Sequence, residues 1–446
     1  MQPLFIALAA PKTRNRRGLF WTGALQMLAG GWCCLQATAQ SPSEPVEQIR
    51  ITLNGSDQSP AEREKSLRVQ ARRLNTLQEV RLALELAEWL GPDNTSPNAS
   101  SDGRVRAELV VRLSQGYRDI LAGKDLVTRG QLLATLAERT HDQNTARGVL
   151  DACSSLAELL GLVAAGTDPD QGCHAIELLG RVPVPPGSLL HAYEGALLPN
   201  SPMRRLAVAQ SLDELIRHST QGTRVKKSLA LERVVPLTPL VVTLCGDEQV
   251  RVRRAALDTA QRLSQLALQT IRDEQIVPAG VPESSRPEVH AAARRLVMDL
   301  AAKICVCLRD PDAEARLRAQ RCLDDLLHTR DALRTRSTSG GDPLAKVLPG
   351  CLITLSEALR DPEPKVRRAA LAVLENLGAD AAPCSASLVE ALYDPDAFVR
   401  WGAIRAVTNL GPAIVPEGPA RIRLRLEDED ADVRAAAEGA LRRLRD

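Results

Sequence analysis

Two side chains of opposite charge recur at a fixed spacing in the C-terminal half of the sequence. Five aspartates are each followed, six residues later, by an arginine. The pairs are Asp247 and Arg253, Asp310 and Arg316, Asp361 and Arg367, Asp394 and Arg400, and Asp428 and Arg434. A catalytic pair is needed once, whereas a planar guanidinium paired with a carboxylate suits a joint that is repeated in every unit. We therefore interpret these ten residues as a structural ladder and not as catalytic groups.

The residues after each aspartate have the periodicity of an α-helix. Counting from Asp361, apolar or small residues lie at positions 5, 8, 9, 12, 13 and 16, which form one stripe of a helix. A second amphipathic segment precedes the aspartate. Pro364 suits a first helical turn, and Gly378 and Gly411 follow the last apolar residue as helix stops. Each unit is therefore predicted to be two helices joined by a turn.

The segment Leu352 to Leu374 has the pattern Leu-x2-Leu-x3-Leu-x-Asp-Pro, followed by Val-Arg-x-x-Ala-x-x-Val-Leu. This pattern resembles the short HEAT repeats of bacterial proteins, which are also similar to the repeats of phycobilin lyases. The resemblance covers Leu237 to Leu444. It implies an all-α fold, an α-solenoid of stacked helix-turn-helix repeats, in which Asp and Arg side chains join adjacent repeats. Because one unit cannot bury its own apolar face, stability is expected to come from stacking.

Changes in composition and pattern divide the sequence into five segments. They are an export signal peptide (1–39), a linker (40–60), a helical N-terminal region that forms a cap or divergent repeats (61–165), degenerate HEAT-like repeats (166–236) and the HEAT-repeat array (237–446). Within the linker, Ile49, Ile51 and Leu53 alternate as in a short strand. The degenerate repeats are indicated by Asp168-Pro169-Asp170 and by the run Arg204 to Leu212.

The first 39 residues have the three parts of an export signal. A basic stretch from Lys12 to Arg17 precedes a mostly apolar core from Gly18 to Leu35, and Ala37-Thr38-Ala39 provides a small-residue cleavage site. An uncleaved anchor is the alternative, but the core is short and weakly apolar for a span of about 20 residues. We expect a protein that is exported to the periplasm or secreted, without a transmembrane segment after removal of the signal.

The charge balance argues against a duplex-binding protein. The formal charge is +2, but without the four basic residues of the leader 53 basic residues remain against 55 acidic ones. Charges of both signs are interspersed along the predicted helices, whereas a nucleic-acid-binding domain usually has a basic face. Nucleic acid is therefore a disfavoured partner.

The cysteines and histidines have no spacing that is typical of a metal site. Cys305 and Cys307 lie about 200° apart around a helix and cannot bind one metal together. The other cysteines after the leader are scattered through helical stretches, as small buried hydrophobic residues are, which argues against disulfide pairing. The sequence also contains no Gly-rich phosphate loop, Gly-x-Ser-x-Gly or His-Glu-x-x-His motif. We therefore expect neither a metal, nor a cofactor, nor an enzyme.

Aromatic residues are rare, and half of those after the leader lie within nine residues, at Tyr393, Phe398 and Trp401. Trp401 lies about 200° around its helix from the core residue two positions earlier, so it should be exposed or meet another element. Exposed Trp near arginines is typical of interaction surfaces. The proposed partner-binding residues are therefore Trp401, Arg405, Tyr393, Phe398 and Arg368. Packing of these rings against a neighbouring helix is the alternative.

The positions 7, 10 and 11 residues after each aspartate are expected to line the inner face of the solenoid. They mix arginines with apolar residues, as at Trp401, Ile404 and Arg405, which suits a protein better than a phosphate backbone. The sequence thus favours a non-catalytic scaffold that binds a protein outside the cytoplasm. The alternatives are a phycobilin-lyase-like enzyme and a HEAT-like nucleic-acid-binding protein.

Overall fold

A computed structural model describes residues 99–140, 147–182, 185–197, 201–220, 230–273, 286–334 and 341–444, with scattered residues between 48 and 70. The predicted signal peptide lies outside the described residues, as does most of the linker. Ile51 is the one residue of the predicted strand that the structure describes, and it does not lie in a strand. Gln48, Ile51 and Thr52 are helical, and the Thr52 hydroxyl donates to the Gln48 carbonyl one turn earlier.

The described residues form helices and turns, without a β-strand among them. Before the array, the structure gives the bounds of the helices α1 (Ala99–Ala122), α2 (Leu126–Arg139), α3 (Arg147–Ser154), α4 (Ala157–Ala164), α5 (Pro169–Arg181), α6 (Pro186–Leu197) and α7 (Pro202–Thr220). The helices described in the array are α8 (Thr238–Leu244), α9 (Val250–Asp273), α10 (Arg286–Cys307), α11 (Ala313–Arg334), α12 (Leu348–Ala358), α13 (Pro364–Leu377), α14 (Ser385–Ala391), α15 (Ala397–Leu410), α16 (Gly418–Arg423) and α17 (Ala431–Arg443). The prediction of an all-α solenoid is confirmed.

The array consists of five helix pairs, from α8–α9 to α16–α17. Each second helix packs against the second helix of the next pair, whereas consecutive first helices contact each other less extensively. Alanine and glycine allow the closer approach, as where Gly402 of α15 lies against Leu371 of α13. The second helices therefore form the more closely packed layer of the stack. Their solvent-facing side is called the inner face below.

The same two layers continue toward the N-terminus. Helices α5 and α7 pack against each other, and α7 packs against α9, so both extend the layer of second helices. Helices α4 and α6 contact each other in the layer of first helices. Asp168 caps α5 by accepting from the backbone N–H groups of Asp170 and Gln171. Two helix pairs thus precede the five that carry the repeated aspartate and arginine.

Polar residues define the starts of several helices of the array, and glycines define the ends of others. Asp396 and Asp430 accept backbone N–H groups at the starts of α15 and α17. Gly378 and Gly411 follow α13 and α15 with φ angles of 55° and 76°, a region that residues with a Cβ rarely adopt. These features end each helix close to the last buried residue, so the turns are short and the pairs stay in register.

Candidate interaction surface

The repeated arginines and aspartates meet across every junction of the array. The Nε and Nη2 groups of Arg367 donate to the two carboxylate oxygens of Asp394 in the next unit, both at 2.8 Å. Its Nη1 donates to the carbonyl of Asp361 in its own unit, also at 2.8 Å. Equivalent two-point pairs join Arg253 to Asp310, Arg316 to Asp361, and Arg400 to Asp428.

The aspartate of each joint is itself held in a turn. Asp394 Oδ1 accepts the backbone N–H of Asp396, and Asp428 Oδ1 accepts that of Asp430. Burial favours the neutral form of Asp428, but hydrogen bonds from Arg400 and from the backbone outweigh it, so the pKa of this carboxyl is lowered. The geometry is the same at each junction, as required of a structural joint.

The ladder extends one unit further than the sequence pattern indicated. Arg205 Nε donates to Asp247 Oδ2 at 2.6 Å, although no aspartate lies six residues before Arg205. The sequence did contain a signal for this additional unit, because Pro202 and Arg205 have the same spacing as Pro364 and Arg367. The pattern was obscured by Arg204, which occupies the position of a core valine and is 1% exposed.

A second set of arginines, one residue after the ladder arginines, pairs with the helix caps. Arg254 donates through Nε and Nη2 to Asp312 at 2.7 and 2.6 Å, and Arg368 Nε donates to Asp396 at 2.9 Å. The hydrogen bond from Arg254 lowers the pKa of Asp312 to about 2, and that from Arg368 lowers the pKa of Asp396. Arg368, predicted to bind a partner, therefore also joins α13 to the start of α15.

Phe398 and Trp401 lie one turn apart on α15, on the inner face, and both are exposed. Their side chains are 63% and 36% exposed. The guanidinium of Arg368 lies 4.5 Å from the Phe398 ring centroid, and that of Arg405 lies 4.5 Å from the Trp401 centroid. We call Arg368, Phe398, Trp401 and Arg405 the aromatic–arginine surface. The structure brings these four predicted residues together.

Tyr393, the fifth residue of the predicted set, lies elsewhere. It occupies the turn between α14 and α15, where its hydroxyl accepts a hydrogen bond from Arg421 at 3.3 Å. The guanidinium of Arg425 lies 4.8 Å from its ring centroid. Tyr393 thus lies among the turns between the two helices of each pair, and the row of these turns is called the outer ridge below. Phe398 and Trp401 are close to Tyr393 in sequence, but they lie on the helix that follows the turn.

Not all positions expected on the inner face line it. The tenth residue after each of the first four aspartates is buried against the next helix. These residues are Leu257, Gln320, Leu371 and Ile404. The stripe that packs helices together is therefore wider than the sequence pattern indicated, and the solvent-facing inner surface is narrower.

Three arginines of the inner face are engaged by carboxylates of the chain itself. Arg405 Nη2 donates to Glu375 at 2.5 Å, and Arg318 Nε donates to Asp258 at 2.7 Å. Arg262 pairs with Asp213 in the same manner. These pairs link consecutive second helices, so charge on this face is largely balanced within the protein.

One expectation about the cysteines is wrong. Cys305 of α10 and Cys351 of α12 form a disulfide, although their spacing in the sequence follows no pattern. Stacking brings the two first helices side by side, and no spacing rule along the chain records that proximity. The other described cysteines are free and largely buried. Burial raises the pKa of Cys153 to about 12 and that of Cys307 to about 11, so these thiols stay protonated at neutral pH.

The paired helices, the two layers and the ladder define an α-solenoid repeat protein. Residues 353–442 match the family model described as HEAT repeats, so this part of the chain consists of HEAT repeats. No curated protein has a sequence that matches this chain. No helix of the described part is long and apolar enough to cross a membrane.

Solved structures with similarity to the chain include natural and designed repeat proteins. Computationally designed armadillo repeat proteins for modular peptide recognition share 17% identity, with a TM-score of 0.37, over 54% of this chain and 97% of theirs. Importin beta shares 15% identity, with a TM-score of 0.43, over 90% of this chain and 50% of its own. An engineered protein shares 15% identity, with a TM-score of 0.34, over 90% of this chain and 99% of its own.

Proposed function

We propose that this HEAT-repeat protein is a non-catalytic scaffold that binds a protein partner through the aromatic–arginine surface on its inner face. The observation that carries the proposal is the exposure of Phe398 and Trp401 on a helix whose other apolar residues are buried or, at Ala397, partly buried. Large exposed aromatic rings with arginines are enriched at the centres of protein interfaces. HEAT repeats stack into extended surfaces of this kind.

The rings are already oriented in the free protein. Arg368 is held by Asp396, and Arg405 by Glu375, so both guanidinium groups remain over their rings without a partner. A preorganised surface loses less side-chain entropy on binding than a flexible one. This arrangement supports protein binding, because the groups over the two rings are arginine side chains and both rings keep exposed surface.

The experiment is affinity capture from the native envelope fraction with immobilised chain, followed by a titration of each recovered protein. Trp401→Ala should weaken binding by about 2 kcal/mol, roughly 30-fold, as expected for a central aromatic anchor. Ile353→Ala is the matched control, because Ile353 is an exposed apolar residue of the first-helix layer. Equal affinity of the wild-type, Trp401→Ala and Ile353→Ala chains for every recovered protein would contradict the proposal.

The location outside the cytoplasm is part of the proposal. The leader of basic, apolar and small residues supports export, and so does the Cys305–Cys351 bond, since disulfides persist in oxidising compartments. Determining the mass of the protein purified from its native cell tests this. A chain that begins at Gln40 is expected, and an intact Met1 would contradict cleavage.

The nucleic-acid alternative has a separate test. A phosphate backbone would have to compete with Asp213, Asp258 and Glu375 for the inner-face arginines. We therefore expect weak binding of duplex DNA with a shallow dependence on salt concentration. Tight binding with a steep salt slope would favour the nucleic-acid function.

Similarity to phycobilin lyases stays a prediction. The measurement that tests it is an absorbance shift on mixing the protein with a tetrapyrrole.

A further inference from the structure

The outer ridge of the array differs at one junction from the two junctions before it. At two successive junctions, the residue immediately before one aspartate pairs with the residue four positions before the next aspartate. Arg309 pairs in this way with Glu357, with an Nε–Oε2 distance of 2.7 Å, and Arg360 pairs with Glu390. All four of these side chains are more than half exposed. Two successive junctions of the ridge are thus closed by a solvated ion pair.

At the following junction the equivalent positions are occupied by Tyr393 and Leu424. Both are exposed, at 46% and 54% of their surface. Two apolar side chains therefore occupy the positions that hold an ion pair at the preceding junctions, and both are in contact with water. An exposed Val306 occurs at the first junction, but its partner position is Gly246, so no aromatic ring is present there.

Two arginines flank these apolar residues, and one of them has no acidic partner. Arg421 donates to the Tyr393 hydroxyl and forms no ion pair within the described part of the chain. Arg425 lies over the Tyr393 ring and is paired with Asp428. Arg421, Leu424 and Arg425 are three and four residues apart, so they share one side of the segment. Arg421 thus adds a positive charge without an acidic partner, whereas the ion pairs of the two preceding junctions are neutral.

A groove adjoins Tyr393 on the side of the preceding repeat. It has a volume of about 380 Å³ and lies between the turns at Asp361 and Asp394. Pro362 and Pro395 contribute to its walls, with Tyr393 at its edge. A groove of 340 Å³ occurs one junction earlier, where its border includes Arg309 and Glu357. The groove is thus a general feature of the ridge. Arg360 and Glu390 line it, as Arg309 and Glu357 line the earlier one, and Tyr393 at its edge is the local addition.

We propose that Tyr393, Arg421, Leu424 and Arg425 form a second docking surface, on the outer ridge, for an acidic segment of a partner protein that carries one large apolar side chain. The apolar side chain packs against Tyr393 and Leu424 at the edge of the groove. A neighbouring carboxylate pairs with Arg421, which offers planar two-point hydrogen bonding. This surface contains none of the residues of the aromatic–arginine surface, so it does not depend on the function proposed for the inner face.

The two preceding junctions indicate which substitutions would remove this surface. The double variant Tyr393→Arg and Leu424→Glu restores the residue types of the two preceding junctions, at positions where they are compatible with the fold. Fluorescently labelled ten-residue peptides serve as probes. The first contains a central Leu flanked by two Asp and two Glu residues, the second replaces this Leu with Ser, and the third replaces the acids with Lys. Polarisation measures binding to the wild-type, the double-variant, Arg421→Gln and Phe398→Ala/Trp401→Ala chains.

We expect the acidic Leu peptide to bind the wild type at least tenfold more tightly than either other peptide, and more weakly at high salt. The double variant and Arg421→Gln should each lose at least tenfold of that affinity, whereas Phe398→Ala/Trp401→Ala should retain it. Equal binding of the three peptides, a preference for the basic peptide, or undiminished binding by a folded double variant would overturn the proposal. Loss of binding only in Phe398→Ala/Trp401→Ala would assign acidic peptides to the inner face and would also overturn it. Circular dichroism verifies the fold of each variant.

Discussion

At the scale of single residues, burial separates arginines that hold the array together from arginines on its surface. Arg400 and Asp428 have side chains that are 5% and 2% exposed, whereas those of Arg360 and Glu390 are 59% and 61% exposed. Both pairs join consecutive units. The buried guanidinium, however, has been removed from water, and its aspartate and two backbone carbonyls replace that water.

The first prediction compares these two pairs. Arg400→Ala should lower the free energy of unfolding by about 3–5 kcal/mol, because it leaves the carboxylate of Asp428 buried without its main partner. Arg360→Ala should cost less than about 1 kcal/mol, as is usual for an exposed pair. Urea denaturation of both variants checks the difference, and similar losses in the two variants would contradict a structural role specific to the ladder.

The second prediction concerns pH and the Arg254–Asp312 pair. The pKa of Asp312 is lowered from its ordinary value near 4 to about 2 in the folded protein. The pair therefore stabilises the fold above pH 4, and this contribution disappears as the pH falls toward 2. Arg254→Ala should be less stable than the wild type at pH 6, and the difference should shrink steadily between pH 4 and 2. A difference that is constant across this range would contradict the assignment.

At the scale of helices, close approach within the second-helix layer depends on residues without large side chains. Gly180 of α5 faces Ser211 of α7, whose hydroxyl donates to the Ile176 carbonyl and is hydrogen-bonded to Tyr193. A Cβ placed on Gly180 would lie 2.2 Å from the Ser211 hydroxyl oxygen and 2.9 Å from its carbonyl oxygen. These distances require the helices to separate or the polar network to break.

The third prediction uses two glycines in helices of the same layer. Gly180→Ala should destabilise the protein by about 1–3 kcal/mol through overpacking. Gly439→Ala on α17 should stabilise it by about 0.5–1 kcal/mol, because nothing lies within 4 Å of the added Cβ and alanine favours the helix. Thermal denaturation of both variants provides the measurement. Equal shifts in the same direction would show that helix propensity, and not the close contact, determines the effect of Gly180.

At the scale of the whole molecule, each unit contacts mainly its neighbours, so stability depends on every junction in turn. The Cys305–Cys351 bond crosses one junction in the layer of first helices, which is the less closely packed layer. It links residues 46 apart in sequence. The bond thus joins the two units that lie on either side of the irregular repeat spacing before α12.

The fourth prediction concerns this bond. Its reduction should lower the free energy of unfolding by about 2–4 kcal/mol, mainly because the unfolded chain gains freedom. A Cys305→Ser/Cys351→Ser variant should have the same stability with and without reductant. Alkylation of the denatured protein, followed by mass determination, counts the free thiols. Labelling of Cys305 and Cys351 without prior reduction would contradict the pairing.

Local patterns in the sequence determined the fold class of this protein. Apolar spacing predicted the helices of each unit, and the recurrence of Asp361 and Arg367 in equivalent positions predicted that the units stack. These features depend on interactions within about 20 residues, which the sequence records directly. The predicted strand at Ile51 failed because three alternating residues are too short a signal to separate strand from helix.

Only the tertiary structure decided which residues meet across the stack. The rotation of each residue around α15 places Phe398 and Trp401 on one face of that helix. Tyr393 precedes the helix and lies on the ridge, although all three residues lie within nine residues of sequence. The junctions between units bring Arg205 to Asp247 and Cys305 to Cys351, which are separated by 42 and 46 residues. Such contacts depend on the rotation between neighbouring helix pairs, which is set by side-chain packing at the interface and not by any spacing within one unit. The two surfaces proposed for binding are a consequence of that packing.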